Sequence, residues 1–238
     1  MDFTIAKYKD LLRALGGREV TLRHDVDKRP GNSLRTARIE AEMGLKGIYY
    51  FRVSTMERET IREIASLGHE IGYHFESLAT CGGDVDAAYG DFKRNLEKLR
   101  EIAPVRSICM HGSPRSPFDS RDIWRKYDYR TLGIETEPYL DTDFSKVFYL
   151  TDTGRRWDGY KVSVRDKVPE YQDKWTSEGL VFHSTDDVIG GLESGRIPQR
   201  LMLTVHPQRW NPFGALWLEE LTLQKAKNLV KRLILIRK

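Results

Sequence analysis

The apolar runs of this chain end repeatedly on a histidine or an aspartate. Residues Glu19 to Arg23 run into His24-Asp25-Val26-Asp27, Glu70 to Tyr73 into His74, Arg106 to Met110 into His111, and Leu201 to Val205 into His206. Between these runs the apolar residues recur at helical spacing. A helix is expected over 4–15, with Ile5, Tyr8, Leu11, Leu12 and Leu15 on one face and Gly16-Gly17 as its stop. Others are expected from about Pro30 to Met43, from 58 to 67 and from 85 to 102. Gly47 to Val53, rich in β-branched and aromatic residues, reads as a further buried strand. Strand–helix alternation of this kind predicts an α/β fold of parallel βαβ units, in an open sheet or a barrel. In both, the carboxyl ends of the strands share one rim, and sites assemble there. Four strands thus deliver histidine or carboxylate groups to one rim, which a random scatter of six histidines does not do.

The second half is less regular. Residues 113–185 are rich in aromatics and carry short extended segments, Val147 to Leu150 and Tyr160 to Val164, which suggest loops and a β-hairpin built onto the same domain. Order returns with a helix over 186–194, a strand over 201–205 and a long amphipathic helix over 214–234. The expectation is about seven strands in one domain spanning 1–238, a length that suits a single α/β barrel.

Composition narrows the function classes. The net charge of +4 is spread among interspersed acids, so there is no nucleic-acid signature. No window approaches the ~18 consecutive apolar residues of a membrane span. Cys81 and Cys109 stand far from any CxxC pattern, which argues against a zinc knuckle or redox pair. Met1 to Thr4 show no basic stretch leading into an apolar run, so a cytoplasmic location is expected. The lysines and arginines from Lys225 to Lys238 read as a solvated helix face.

Asp25 and Asp27 are two residues apart, which in extended chain puts both carboxylates on one face. One can bind a metal while the other takes a proton from water. An Asp-x-Asp before a proline is equally a turn signature. The company of His74, His111 and His206 turns the reading toward a divalent-metal site with a hydrolytic role. His69 begins its strand, away from the rim, and is assigned a structural role. Glu76, two residues past His74, can share its direction, and His206 before Pro207 suits general acid–base work. His183 has no functional argument.

These residues, in this order, resemble the polysaccharide deacetylases, carbohydrate esterases with a NodB-homology domain. That family has a distorted (β/α) barrel and removes acetyl groups from sugars with a divalent metal, usually zinc. Leu22 to Asp27 looks like its first motif, which makes Asp25 the catalytic base and Asp27 a metal ligand. Gly68 to His74 resembles the second, making His74 a ligand. The second histidine expected four residues later is here Leu78. His111 is the first replacement and Glu76 the second. Arg115 is the residue nearest the third motif's arginine, and Asp152 with Trp157 resembles the fourth motif. Leu203 to His206 resembles the fifth, making His206 the general acid, oriented by Asp152. The resemblance is to a branch associated with bacterial surface-polysaccharide (O-antigen) biosynthesis. It implies an acetylated sugar, nucleotide-sugar or lipid-linked saccharide as substrate. Two alternatives stay open: an amidohydrolase on a non-sugar amide, and an inactive sugar-binding relative, which the residue Leu78 suggests.

Overall fold

The computed structural model describes residues 1–112, 116–157 and 166–236, and side chains as far as 229. In chain order the first elements are α1 (Ile5–Ala14), β1 (Glu19–Val26), α2 (Pro30–Glu42), β2 (Gly47–Phe51) and α3 (Arg58–Ser66). Then come β3 (Glu70–Phe75), α4 (Ser77–Thr80), α5 (Val85–Arg100), β4 (Val105–Met110) and α6 (Pro138–Asp141). The last are β5 (Phe148–Thr151), α7 (Pro169–Ser177), α8 (Thr185–Glu193), β6 (Arg200–Val205) and α9 (Ala215–Ile236). The strands form a six-stranded sheet in the order β4-β3-β2-β1-β6-β5, in which β2 and β3, β3 and β4, and β5 and β6 pair in parallel. This is the α/β fold that the strand–helix alternation predicts. No helix among the described residues is long and apolar enough to cross a membrane.

The chain divides into two compact units, one of residues 23–142 and one of residues 1–22 with 143–238. In the first, β2, β3 and β4 run parallel in register, with Phe51 beside Tyr73 and Phe75 beside Met110. Helices α3 and α5 pack on the sheet through Ile61, Ile64, Phe92, Leu96 and Leu99, all at most 1% exposed. Phe75, Phe92, Trp124 and Tyr129 meet edge to face, ring centres 4.8–5.5 Å apart. Such pairs add about 0.5–1.5 kcal/mol each beyond the area they bury. Gly72 is required where it stands: a Cβ there would collide with the Tyr50 ring.

In the second unit β5 pairs parallel with β6, Phe148 beside Leu201 through Thr151 beside Thr204. Its core joins Tyr8 of α1 to Trp210 at 5.0 Å between rings and Phe148 to Trp175 at 5.1 Å. The hairpin partner expected at Tyr160 to Val164 lies outside the described residues. Pro138–Asp141 and Pro169–Ser177 form helices that periodicity did not announce. Both start on a proline at the first helical turn, where its fixed φ suits the helix and its missing N–H is no loss.

Candidate metal centre and histidine–aspartate pair

Strand β1 alternates faces with a period of two, and this decides what each of its polar residues can do. Arg23 and Asp25 share one face. Their side chains form a bidentate pair, Nε to Oδ1 at 2.9 Å and Nη2 to Oδ2 at 2.7 Å, both residues at most 1% exposed. Tyr139 lies under the guanidinium at 4.7 Å. His24 faces the other way. It stacks on Tyr49 at 4.0 Å, and its Nε2 lies 3.0 Å from Glu40. His69 joins the same buried group, accepting from the Gly47 N–H at 3.0 Å and donating through Nε2 to the Ala37 carbonyl at 2.9 Å. Its place is structural, and burial lowers its pKa.

The ends of three strands of this unit converge. Asp27 follows β1, His74 sits near the end of β3, and His111 follows β4. Asp27 Oδ1 is 3.6 Å from His74 Nε2 and 3.1 Å from His111 Nδ1. The two imidazole nitrogens are 3.3 Å apart. A tetrahedral ion with bonds of about 2.0–2.1 Å spaces its ligands by about 3.4 Å, so this donor set fits one. His74 Nδ1 lies 2.9 Å from the Cys109 carbonyl. A carbonyl only accepts, so Nδ1 carries the proton and Nε2 offers its lone pair to the centre of the three donors. Burial would depress the His111 pKa, but the charge and hydrogen bond of Asp27 outweigh it and the net shift is upward.

A second cluster of donors, Asp25, His74 and Cys109, is wholly buried. Both Asp25 oxygens are engaged by Arg23, and the Cys109 thiol is fully enclosed. The Asp27, His74, His111 set is partly open, Asp27 and His111 being 19% and 15% exposed at the side chain, and so leaves room for a substrate. Glu76 stands beside this set rather than in it. Arg52 holds its Oε1 at 2.5 Å, and its Oε2 is 3.9 Å from His111. Leu78, at the position of the missing histidine, is 3% exposed and packs in the core. Arg115 lies outside the described residues; the arginine that holds Asp25 is Arg23. Glu137, fully buried, accepts from the Met110 N–H at 3.0 Å and so fixes the strand end from which His111 springs. Burial pushes its pKa up.

In the other unit the adjacent strand ends of β5 and β6 bring Asp152 and His206 together. Asp152 is fully buried and takes four hydrogen bonds. His206 Nδ1 and Arg209 Nη1 reach its Oδ1 at 2.6 and 2.5 Å. The His206 N–H and the Trp210 indole N–H reach its Oδ2 at 3.0 and 2.8 Å. Burial would raise its pKa, but the charges of Arg209 and His206 and these hydrogen bonds outweigh it and hold the carboxyl below its ordinary range. An ionised carboxylate only accepts, so His206 Nδ1 bears its proton and Nε2 is the end turned away from Asp152. The indole on Asp152 belongs to Trp210 and not to Trp157, whose N–H donates to Thr185 at 3.0 Å. Arg23, Arg209, Trp210 and Glu137 were not singled out in the sequence. Only Arg23 left a signal there, its two-residue spacing from Asp25.

No family model and no curated protein matches the chain. Solved structures do. A family 4 carbohydrate esterase from Bacillus anthracis is 12% identical with a TM-score of 0.43, over 96% of this chain and 89% of that one. The peptidoglycan deacetylase PdaC from Bacillus subtilis, in a mutant form, is 12% identical with a TM-score of 0.42, over 92% of this chain and 98% of that one. A family 4 acetyl xylan esterase from Clostridium thermocellum, in complex with a cobalt ion, is 14% identical with a TM-score of 0.41, over 88% and 85%.

Proposed function

We propose that the chain is a metal-dependent hydrolase that removes an acetyl or similar acyl group from a sugar. The observation that carries this reading is the donor set of Asp27, His74 and His111, spaced 3.1–3.6 Å apart at three strand ends. Two imidazoles and one carboxylate suit Zn²⁺, and three protein ligands leave a position open for chemistry. When bound, such an ion supplies Lewis-acid activation of water and polarises the acyl carbonyl.

The protein's own groups supply the proton transfers. Asp25 is the general base. Asp25 is oriented by Arg23, which meets both of its carboxylate oxygens. Its Oδ2 lies 3.7 Å from His74 Nε2, which sets it beside the ligand set. Arg23 fixes the carboxylate in one orientation. His206 is the general acid. Asp152 orients its ring, so that Nε2 can give a proton to the leaving amine or alcohol as the acyl C–N or C–O bond breaks. The reading includes a nucleotide- or lipid-linked saccharide of surface-polysaccharide (O-antigen) biosynthesis as substrate, and a cytoplasmic setting.

The test pairs metal analysis with acetate release. Purified protein is expected to hold one zinc and to release acetate from an N-acetylated oligosaccharide or UDP-N-acetylglucosamine, but not to open a cyclic amide. Asp25→Asn should abolish turnover with metal retained. Absence of metal, or an Asp25→Asn variant at the parent rate, overturns the proposal.

A further inference from the structure

A cavity of about 520 Å³ opens in the unit that holds β5, β6 and α9, lined by Asp2, Phe3, Arg155, Trp217, Lys225 and neighbouring residues. Arg155 is its unusual member. It has φ of 55°, in the left-handed region that a side chain of this size rarely adopts. Strain of that kind persists only where the surroundings impose it, and it gathers at functional sites. The guanidinium lies between two rings, 4.8 Å from Phe3 and 5.2 Å from Trp217. Its one hydrogen bond runs from Nη2 to the Asp2 carbonyl at 3.4 Å, while Nη1 is buried and has no partner among the described residues. Burial works against its charge, and Glu220 and Asp2 offset this only from a distance, without an ion pair.

The cavity is cationic in balance. Arg156 and exposed Lys225 line it as well, and the polar side chains of Gln224 and Asn228 complete it. Its one lining carboxylate, Asp2, is already committed to the Phe3 N–H at 2.9 Å and to the Thr185 hydroxyl and N–H. A buried guanidinium edge without a partner is a costly arrangement. It becomes a favourable one when a multi-oxygen anion takes it, because the planar fork matches phosphate geometry. The cavity is also far larger than one phosphate needs, and Leu221 and Leu229 add an apolar wall.

We propose that this cavity binds the phosphate or diphosphate group of a small organic ligand, with Arg155 as its principal donor and Lys225 as a second cation. The assignment does not depend on the hydrolytic reading of the metal centre. Inorganic pyrophosphate, UDP and, as a control, acetate are to be titrated calorimetrically into the full-length protein. Pyrophosphate and UDP should bind, UDP the more tightly, and acetate should not. Arg155→Gln and Lys225→Gln should each weaken binding by about tenfold or more, as expected for loss of a charged hydrogen bond. Lys225 is exposed, so its variant keeps the fold intact even where Arg155→Gln does not. No heat with either phosphate, or equal affinity in the Lys225→Gln protein, overturns the proposal.

Discussion

Arg23 grips both oxygens of Asp25 from two residues upstream on the same strand, and neither side chain reaches solvent. The pair is a rigid fork-to-fork contact rather than a loose attraction, because the strand holds both side chains on one face. Removing one partner leaves the other buried and uncompensated. Arg23→Leu should therefore destabilise the fold by about 3–5 kcal/mol, read as a lowered urea midpoint. Arg23→Lys should recover part of that stability but not the two-point grip, and so should still lower kcat for acyl hydrolysis. An Arg23→Leu protein as stable as the parent contradicts the structure.

His111 is expected to matter for metal and Glu76 is not. His111→Ala should lower zinc affinity by at least about 10²-fold, since one of three ligands is lost, while Glu76→Gln should change it little. Competition with a chromogenic chelator measures both. Chelation of the parent protein should abolish acetate release and re-addition of zinc should restore it.

Asp152 has its pKa held below the ordinary carboxylate range by Arg209 and His206, so the sign of its pH effect is fixed. A carboxylate depressed in the folded state contributes stability that is present above the unfolded value. That contribution falls away as the pH drops through the folded one. The parent should therefore lose stability relative to Asp152→Asn as the solution is taken from pH 7 to below pH 4. Urea unfolding of both proteins across this range is the measurement, and a constant difference between them refutes the assignment.

Gly72 should tolerate no side chain. Gly72→Ala drives a methyl into the Tyr50 ring between β2 and β3, and overpacking of this kind costs about 1–3 kcal/mol. Thermal melting reads it directly. Gly17, with open space around it but φ of 76°, should lose less when changed to Asn, a residue that adopts the left-handed region readily.

Much of this was legible because parallel strands put their chemistry at one end. Asp27, His74 and His111 are far apart in sequence, but each follows or ends an apolar run, and the β-strand pattern alone marks such positions. His206 was read the same way, at the end of a late strand, whereas Asp152 came only from its resemblance to the family's fourth motif. What escaped were partners supplied by other rules. Arg23 lies within a strand whose preceding residues alternate, and a charged residue there reads as solvent-facing until the opposite face is seen to be the one holding His24. Trp210 reaches Asp152 because the tight turn after β6 folds back, whereas Trp157, nearer to Asp152 in sequence, is drawn to Thr185. Short segments such as Pro138–Asp141 carry no full helical period to detect.

The two faces of β1 also set how the molecule tolerates lengthening or shortening. His24 and Val26 belong to one side, Arg23 and Asp25 to the other, and the assignment depends on counting residues from Glu19. Losing a single residue between positions 19 and 22 would exchange the sides. His24 would then take the place of Asp25 beside His74, and Asp25 would turn toward Glu40, setting two carboxylates together in a water-free interior. A one-residue deletion in this stretch is thus a graver lesion than most replacements, and the distance from Glu19 to Asp27 is itself part of the protein's specification.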